Sequence, residues 1–175
     1  MKKLLILISF LALSCTNDKT STPTEKTALN LVTGINFRQT SDSNEIPVQL
    51  GNPNVLVSNM FFVYPNPSND FVQITANQNI SSIWIVAATP EKTYQDVNFS
   101  SILNSDLYSE QTIVSNSKIS VTGPSATTFR INIENLVNGY YKVFVKINGI
   151  IYWDNLYKYK IDNQAEFDAI TNFWK

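Results

Sequence analysis

Few side chains in this sequence could carry out chemistry. Histidine is absent and Cys15 is the single cysteine, which excludes Ser-His-Asp and Cys-His catalysis and zinc sites built on those residues. Asp70 and Asp154 are the acids that fall at strand positions. Two carboxylates roughly 5–10 Å apart in a cleft can hydrolyse a glycoside, so a glycosidase-like enzyme is the catalytic alternative. Otherwise, we expect no enzymatic activity.

A turn that is rich in oxygen atoms follows Val63. In Tyr64-Pro-Asn-Pro67 each proline fixes its own φ and restricts the residue before it, so neither a helix nor a central strand can continue. Asn66 and Asp70 offer oxygen ligands of the kind that calcium prefers, as does the loop Asp42–Glu45. The same acceptors can instead satisfy the backbone N–H groups of their own turn. Apart from calcium and a covalent lipid, we expect no metal or cofactor.

A hairpin near the C-terminus carries the candidate binding surface. Asn148-Gly149 favours a two-residue turn between Tyr140–Ile147 and Ile150–Tyr157. This turn fixes the register and places four aromatic residues on one face, namely Tyr140, Phe144, Trp153 and Tyr157. If exposed, these rings would form a platform for sugar rings or for an envelope protein. If the N-terminal strands or a C-terminal helix cover them, they form a second core.

The opposite face of the hairpin is predicted to be the main core. Its polar exception is Asp154, which lies near the end far from the turn. The other residues of this face are Tyr141, Val143, Val145, Ile147, Ile150, Tyr152 and Leu156.

The remaining elements predict an all-β domain over residues 28–175. β-branched and aromatic content predicts strands at Leu31–Phe37, Val55–Val63, Phe71–Ala76, Ile83–Val86 and Phe129–Ile133. Pro90–Thr127 is expected to be mostly loop, with one helical turn at Phe99–Leu103 and a short strand at Ile119–Val121. Asn163 and Glu166 form a capping box for a short amphipathic helix, which places Phe167, Ile170 and Trp174 on one face. That helix either packs on the sandwich or binds a partner.

The N-terminus has the pattern of an export signal that ends at a cysteine. Lys2-Lys3 precedes the apolar run Leu4–Leu13, which is too short to span a bilayer. A lone Cys15 directly after residues 1–14 resembles a bacterial lipoprotein processing site, which implies lipidation of Cys15 and a stable membrane anchor. Residues 15–27 are polar and are expected to be a flexible tether. The alternative is a soluble secreted protein with a chance cysteine.

The charge of the chain argues against nucleic-acid binding. Removal of the signal takes away Lys2 and Lys3, so the net charge of −1 becomes about −3. A basic patch is the usual electrostatic requirement for binding nucleic acid.

The motifs from Val63 onward resemble the type IX secretion C-terminal sorting domain. The residues that carry the resemblance are Val63-Tyr-Pro-Asn-Pro67, the Leu-x-x-Gly-x-Tyr pattern within Ile131–Tyr141, Asn148-Gly149 and the basic Lys158-Tyr-Lys160. The resemblance implies an antiparallel β-sandwich, either sorting-domain-like or immunoglobulin-like. The insertion Glu91–Thr127 and the continuation to Lys175 depart from that family, so the resemblance supports the fold more than the sorting role.

Together these patterns predict a lipid-anchored outer-membrane protein, facing the periplasm or the cell surface. Its domain would be a non-enzymatic binding module for a glycan or an envelope protein. The second hypothesis is a sorting domain that is cleaved during type IX export.

Overall fold

The computed structural model describes residues 25–40, 42, 44–160 and 164–175. The predicted signal, Cys15, most of the tether and the capping residue Asn163 lie outside these residues. Within the described part of the chain, no helix is long and apolar enough to cross a membrane.

The described chain is mostly β-structure. Its eight strands are β1 (Leu31–Val32), β2 (Gly34–Phe37), β3 (Val48–Gly51), β4 (Phe61–Tyr64), β5 (Phe71–Pro90), β6 (Ser117–Asn132), β7 (Gly139–Ile147) and β8 (Ile150–Lys158). The helices are a single 3₁₀ turn at Phe99–Ser101, α1 (Glu110–Asn116) and α2 (Gln164–Trp174). A six-stranded sheet contains β1 and β4 to β8, and β2 pairs with β3 in a separate ribbon.

The long strand β5 organises both layers of the fold. The sequence predicted two strands here, at Phe71–Ala76 and Ile83–Val86, because polar residues separate them. The structure has one strand of 20 residues. Its register shifts between Thr75 and Ser82, which lets the exposed residues Asn77–Asn79 pass without ending the strand.

The β5 strand contributes to two packed layers. Its first part pairs with β4 on one side and the end of β6 on the other, while its second part lies between β6 and β7. The inner faces share one apolar core, which contains Val63, Val72 and Ile74 from the first layer and Ile85, Val143 and Leu156 from the second. The prediction of an all-β sandwich with a short C-terminal helix is therefore confirmed. Among the named strands of the described residues, β1 with β5 is the parallel pair and the other pairs are antiparallel.

The hairpin register is confirmed residue by residue. Ile147 pairs with Ile150, Phe144 with Trp153 and Tyr140 with Tyr157. The predicted core face is buried with one exception, since Ile150 beside the turn is 43% exposed.

Near the N-terminus one predicted strand was too long and another strand was missed. Of the predicted strand Val55–Val63 only Phe61–Val63 is a strand, within β4, because Ser58 and Asn59 adopt positive φ angles and turn the chain. Strand β3 was missed because it does not alternate, and Val48 is 63% exposed.

The segment 91–127 is more regular than predicted. The turn at Phe99–Leu103 is confirmed as a 3₁₀ helix. Helix α1 was missed, although Ser109 caps it by accepting a hydrogen bond from Thr112 N–H. The predicted strands at Ile119–Val121 and Phe129–Ile133 both belong to β6, which ends at Asn132.

Candidate functional site

The aromatic face of the hairpin is not an exposed platform. Phe144 and Trp153 are completely buried, and Tyr140 and Tyr157 are half-buried. An exposed stacking surface needs accessible rings, so this alternative is overturned. The structure instead has the other alternative, in which these aromatic residues form a second core.

The insertion supplies most of the cover for this second core. Tyr108 lies 5.7 Å from the Phe144 ring and 5.0 Å from the Trp153 ring, measured between centroids. Phe99, Leu103 and Ile113 join the same buried cluster. The N-terminal segment also contributes, since Leu56 packs against this cluster and Trp153 Nε1–H donates to the Asn54 carbonyl at 2.9 Å. The tail helix acts at the other end of the hairpin.

At that other end, α2 covers the two tyrosines. The Trp174 ring packs edge-on against Tyr140 at 5.8 Å, and the Tyr157 hydroxyl donates a 2.9 Å hydrogen bond to Glu166. Ile170 and Trp174 are buried, as the predicted helical face requires, but Phe167 is 39% exposed. The helix therefore packs on the sandwich, as the first of the two readings of its sequence predicted.

A lysine is buried within the aromatic cluster. Lys142 has no exposed surface, and its Nζ donates a 3.4 Å hydrogen bond to the Tyr108 hydroxyl. Burial lowers the pKa of Lys142 to about 7. The insertion that carries Tyr108 shields this lysine from water, so we assign it to the core and not to a ligand site.

The Asn66 side chain of the predicted calcium loop takes part in internal hydrogen bonds. Both side-chain N–H groups of Asn66 donate at 2.8 Å, to the backbone carbonyls of Asn36 and Asn155, and its Oδ1 accepts from Tyr157 N–H. Its own backbone N–H and carbonyl pair with Arg38. Asn66 thus joins the Tyr64-Pro-Asn-Pro67 turn, whose two proline peptide bonds are cis, to β8 and to the residues around β2. Oδ1 keeps a second lone pair, so calcium binding at Asn66 stays a prediction.

The other acids of the two predicted calcium loops serve local structure. Asp70 is exposed, and its backbone N–H donates to Asn69 Oδ1 at 2.7 Å. The Glu45 carboxylate accepts hydrogen bonds from the backbone of Gln39 and Thr40, and Asp42 Oδ1 accepts from Asn44 N–H. Among the described residues, no three His, Cys, Asp or Glu side chains form a group that could hold a metal.

The best candidate site is a cleft of about 590 Å³ beside β4. It lies where the β2–β3 ribbon, the turn before β4, and the middle of β5 meet the core face of β8. We call it the Asp154 cleft. Its polar lining consists of Asn36, Arg38, Asn59, Thr75, Asn77 and Asp154. Its apolar lining consists of Pro47, Val57, Met60, Phe61, Phe62 and Ala76. The volume and mixed lining suit a small-molecule site.

The Asp154 carboxyl is the buried polar group of this cleft. It is 5% exposed, and its Oδ1 accepts hydrogen bonds from Asn155 N–H at 2.8 Å and from Asn36 Nδ2 at 3.3 Å. Among the described residues, no hydrogen bond goes to Oδ2. Burial raises the pKa of Asp154 to about 6, although the two hydrogen bonds and the charge on Arg38 act in the opposite direction.

Arg38 lies at the opening of the cleft on an aromatic ring. Its guanidinium carbon is 4.8 Å from the centroid of Phe62, a cation–π contact. Its Nη1 donates to the Asp42 carbonyl at 2.9 Å and lies 3.9 Å from Glu45 Oε2. These polar contacts all use Nη1, so Nε and Nη2 can donate to a ligand.

The cleft opens onto the outer face of the first layer. Phe62 and Tyr64 point outward from β4, and their ring centroids are 5.6 Å apart. Tyr64 lies beside Gln73 in the register, and Gln73 lies beside Arg130, whose guanidinium is 3.4 Å from the Phe71 ring centroid. We call Phe62, Tyr64 and Phe71 the outer aromatic row.

The cleft does not meet the condition for a carboxylate-based glycosidase. That mechanism needs two carboxyl groups across the scissile bond, and Asp154 is the single carboxylate among the residues that line the cleft. Asp70, the other acid at a strand position, is not among them.

Sequence reasoning found one residue of this site. Asp154 stood out because it was the polar exception on an apolar strand face. Asn36, Arg38 and Phe62 were missed, because their approach to Asp154 depends on pairings between distant segments. The available sequence signal for the site was Arg38, which directly follows the first predicted strand.

Comparisons with known proteins do not assign this chain to a family. A scan against protein families finds no match, and a search of curated proteins finds no significant relative.

Proposed function

We propose that this chain is a non-enzymatic binding module of a bacterial cell-envelope lipoprotein, and that the Asp154 cleft holds its ligand. The anchor would be a lipid on Cys15, placing the domain at the outer membrane. The export-signal pattern before Cys15 supports the anchor, and the polar segment after it would serve as the tether.

One observation supports the binding function most directly. Asp154 is a buried carboxyl group with one oxygen unused by the described residues, and it borders a cleft of about 590 Å³. Burying a carboxyl group costs free energy unless it is fully hydrogen-bonded. An apolar residue at this position would extend the core, so an acid at the wall of a cleft favours recognition of a ligand.

Ligand-observed NMR with a mixed library of saccharides, amino acids and small peptides tests the site. Asn77 is exposed at the edge of the cleft, so Asn77→Trp would obstruct the cleft without disturbing the core. Asn79→Trp is the matched control, because Asn79 is exposed two residues further along β5 and does not line the cleft. We expect a ligand that binds the wild type and Asn79→Trp but not Asn77→Trp. A library in which no compound behaves in this way would refute the proposed site.

The anchor is tested by intact mass spectrometry of the protein extracted from membranes of its native cell. We expect a species that runs from an acylated Cys15 to Lys175, and Cys15→Ser should release the protein from the membrane. A species that lacks the chain after about residue 60 would instead support the sorting-domain hypothesis.

The fold gives a reason to prefer a resident protein. Cleavage upstream of Tyr64 would remove segments that belong to the same sandwich. Strand β1 pairs with β5, Leu56 exchanges two backbone hydrogen bonds with Trp153, and Asn54 Oδ1 accepts from Asn155 Nδ2 at 2.9 Å. These contacts of the described residues before Tyr64 support a resident domain over a cleaved sorting signal.

A further inference from the structure

The Asp154 cleft carries charges of both signs. Asp154 and Arg38 both line it, and Glu45 lies 3.9 Å from the Arg38 guanidinium. A ligand with one net charge would meet one repulsive side chain along with one attractive one, so the cleft offers no net advantage to an anion or a cation. From this pair of charges, together with the polar groups and the apolar wall of the cleft, we infer that the cleft binds an uncharged saccharide unit. The inference rests on the proposed binding function and names its ligand class.

The remaining polar groups match the hydroxyl groups of a sugar. A saccharide hydroxyl both donates and accepts, and so do the side-chain amides of Asn59 and Asn77 and the hydroxyl of Thr75. Asp154 Oδ2 adds an acceptor, and Nε and Nη2 of Arg38 add donors. Neighbouring hydroxyl groups on one sugar ring can therefore pair with donors and acceptors at the same time.

The apolar wall matches the C–H face of a sugar ring. Val57, Met60 and Phe62 are among the apolar residues that line the cleft. Phe62 also begins the outer aromatic row, and the Tyr64 ring follows at 5.6 Å with an interplanar angle of 31°. A second saccharide unit that leaves the cleft would therefore meet another aromatic ring, so an oligosaccharide fits better than a free monosaccharide.

Titration calorimetry against three sets of oligosaccharides tests this inference. The neutral set contains malto-, cello- and manno-oligosaccharides, the acidic set oligogalacturonates, and the cationic set chitosan oligomers. We expect binding of at least one neutral set. We further expect Asp154→Asn to weaken it about tenfold, because a carboxylate accepts stronger hydrogen bonds than an amide oxygen. Asp70→Asn, which changes an exposed acid outside the cleft, should leave the affinity unchanged.

A thermal melt of Asp154→Asn checks that the variant folds, and Tyr64→Ala gives a second readout. Tyr64→Ala should weaken binding of a trisaccharide more than binding of a monosaccharide.

The outcomes separate the two proposals. Binding of only acidic or only cationic oligomers that is lost in Asn77→Trp would overturn the saccharide inference and leave the proposed site intact. Neutral binding that is insensitive to both Asp154→Asn and Asn77→Trp would also overturn the inference. No binding in this experiment, combined with no cleft-dependent ligand in the NMR library, would overturn both.

Discussion

At the scale of single residues, the structure buries two ionisable groups, of which one is enclosed in a core and the other borders a cleft. Lys142 is enclosed by the insertion and touches a tyrosine hydroxyl, whereas Asp154 lies at the wall of a cleft and has an oxygen unused by the described residues. Both pKa values are shifted by burial. Burial alone therefore does not identify a functional group here, and access to a cleft makes the distinction.

Lys142 should make the stability of the domain depend on pH. Its pKa is about 10.5 when unfolded and about 7 when folded, so the unfolded chain binds its proton more tightly. The stabilisation is therefore complete above the unfolded pKa and is lost as the pH falls towards about 7. We expect the free energy of unfolding in urea to rise between about pH 7 and about pH 9.5, and Lys142→Met to remove most of that rise.

Lys118→Met is the control for this experiment, because Lys118 is an exposed lysine on β6. It should show the same pH dependence as the wild type. If the free energy of unfolding rose equally with pH in the wild type, Lys142→Met and Lys118→Met, Lys142 would not lose its proton in the folded state.

At the scale of elements, the insertion and its helix α1 act as a cover for the second core. Ile113 is completely buried, and its neighbour Val114 is 47% exposed. Ile113→Ala should lower the free energy of unfolding by about 2–4 kcal/mol, because it leaves a cavity against the aromatic cluster. Val114→Ala should change it by less than about 0.5 kcal/mol. Chemical denaturation of both variants provides the measurement, and equal effects would mean that α1 does not anchor the insertion.

The elements also show which features a sequence can predict. The Asn148-Gly149 hairpin was predicted with its register because its signal is local. Strand β3 was not predicted, because its exposed valine gives no pattern and its strand state comes from pairing with β2. The irregular stretch of β5 between Thr75 and Ser82 was predicted to be a break between two strands. Its strand state also comes from pairing, here with β6 and β7.

At the scale of the whole molecule, the two layers form one unit that includes the N-terminal segment. A fragment of residues 25–175 should therefore fold as the full mature chain does. A fragment of residues 61–175 lacks β1 to β3, Asn54 and Leu56, and should lose the dispersed amide NMR spectrum of a folded protein. A cooperative thermal transition in the shorter fragment would contradict this view and would favour an autonomous sorting domain.

The candidate site is a property of this whole arrangement. Asp154 could be singled out from its strand, but Asn36, Arg38 and Phe62 reach it through β2, the Asn66 turn and β4. Asn66 is the connection, because its side chain bonds to the carbonyl of Asn36 and to β8. Sequence periodicity describes one element at a time and cannot predict such a meeting of four segments.

The long strand β5 also determines what happens while the chain is being made. The segment Ile80–Val86 leaves the ribosome, or emerges from an export channel, before β6, β7 and β8 exist to cover it. Its residues Ile83–Val86 are apolar on both faces, and such a stretch with free edges is prone to intermolecular pairing. Both of its edges are paired only after β7, which ends at Ile147, has also been made. The newly made protein therefore passes through an aggregation-prone interval, which a holding chaperone would shorten or protect.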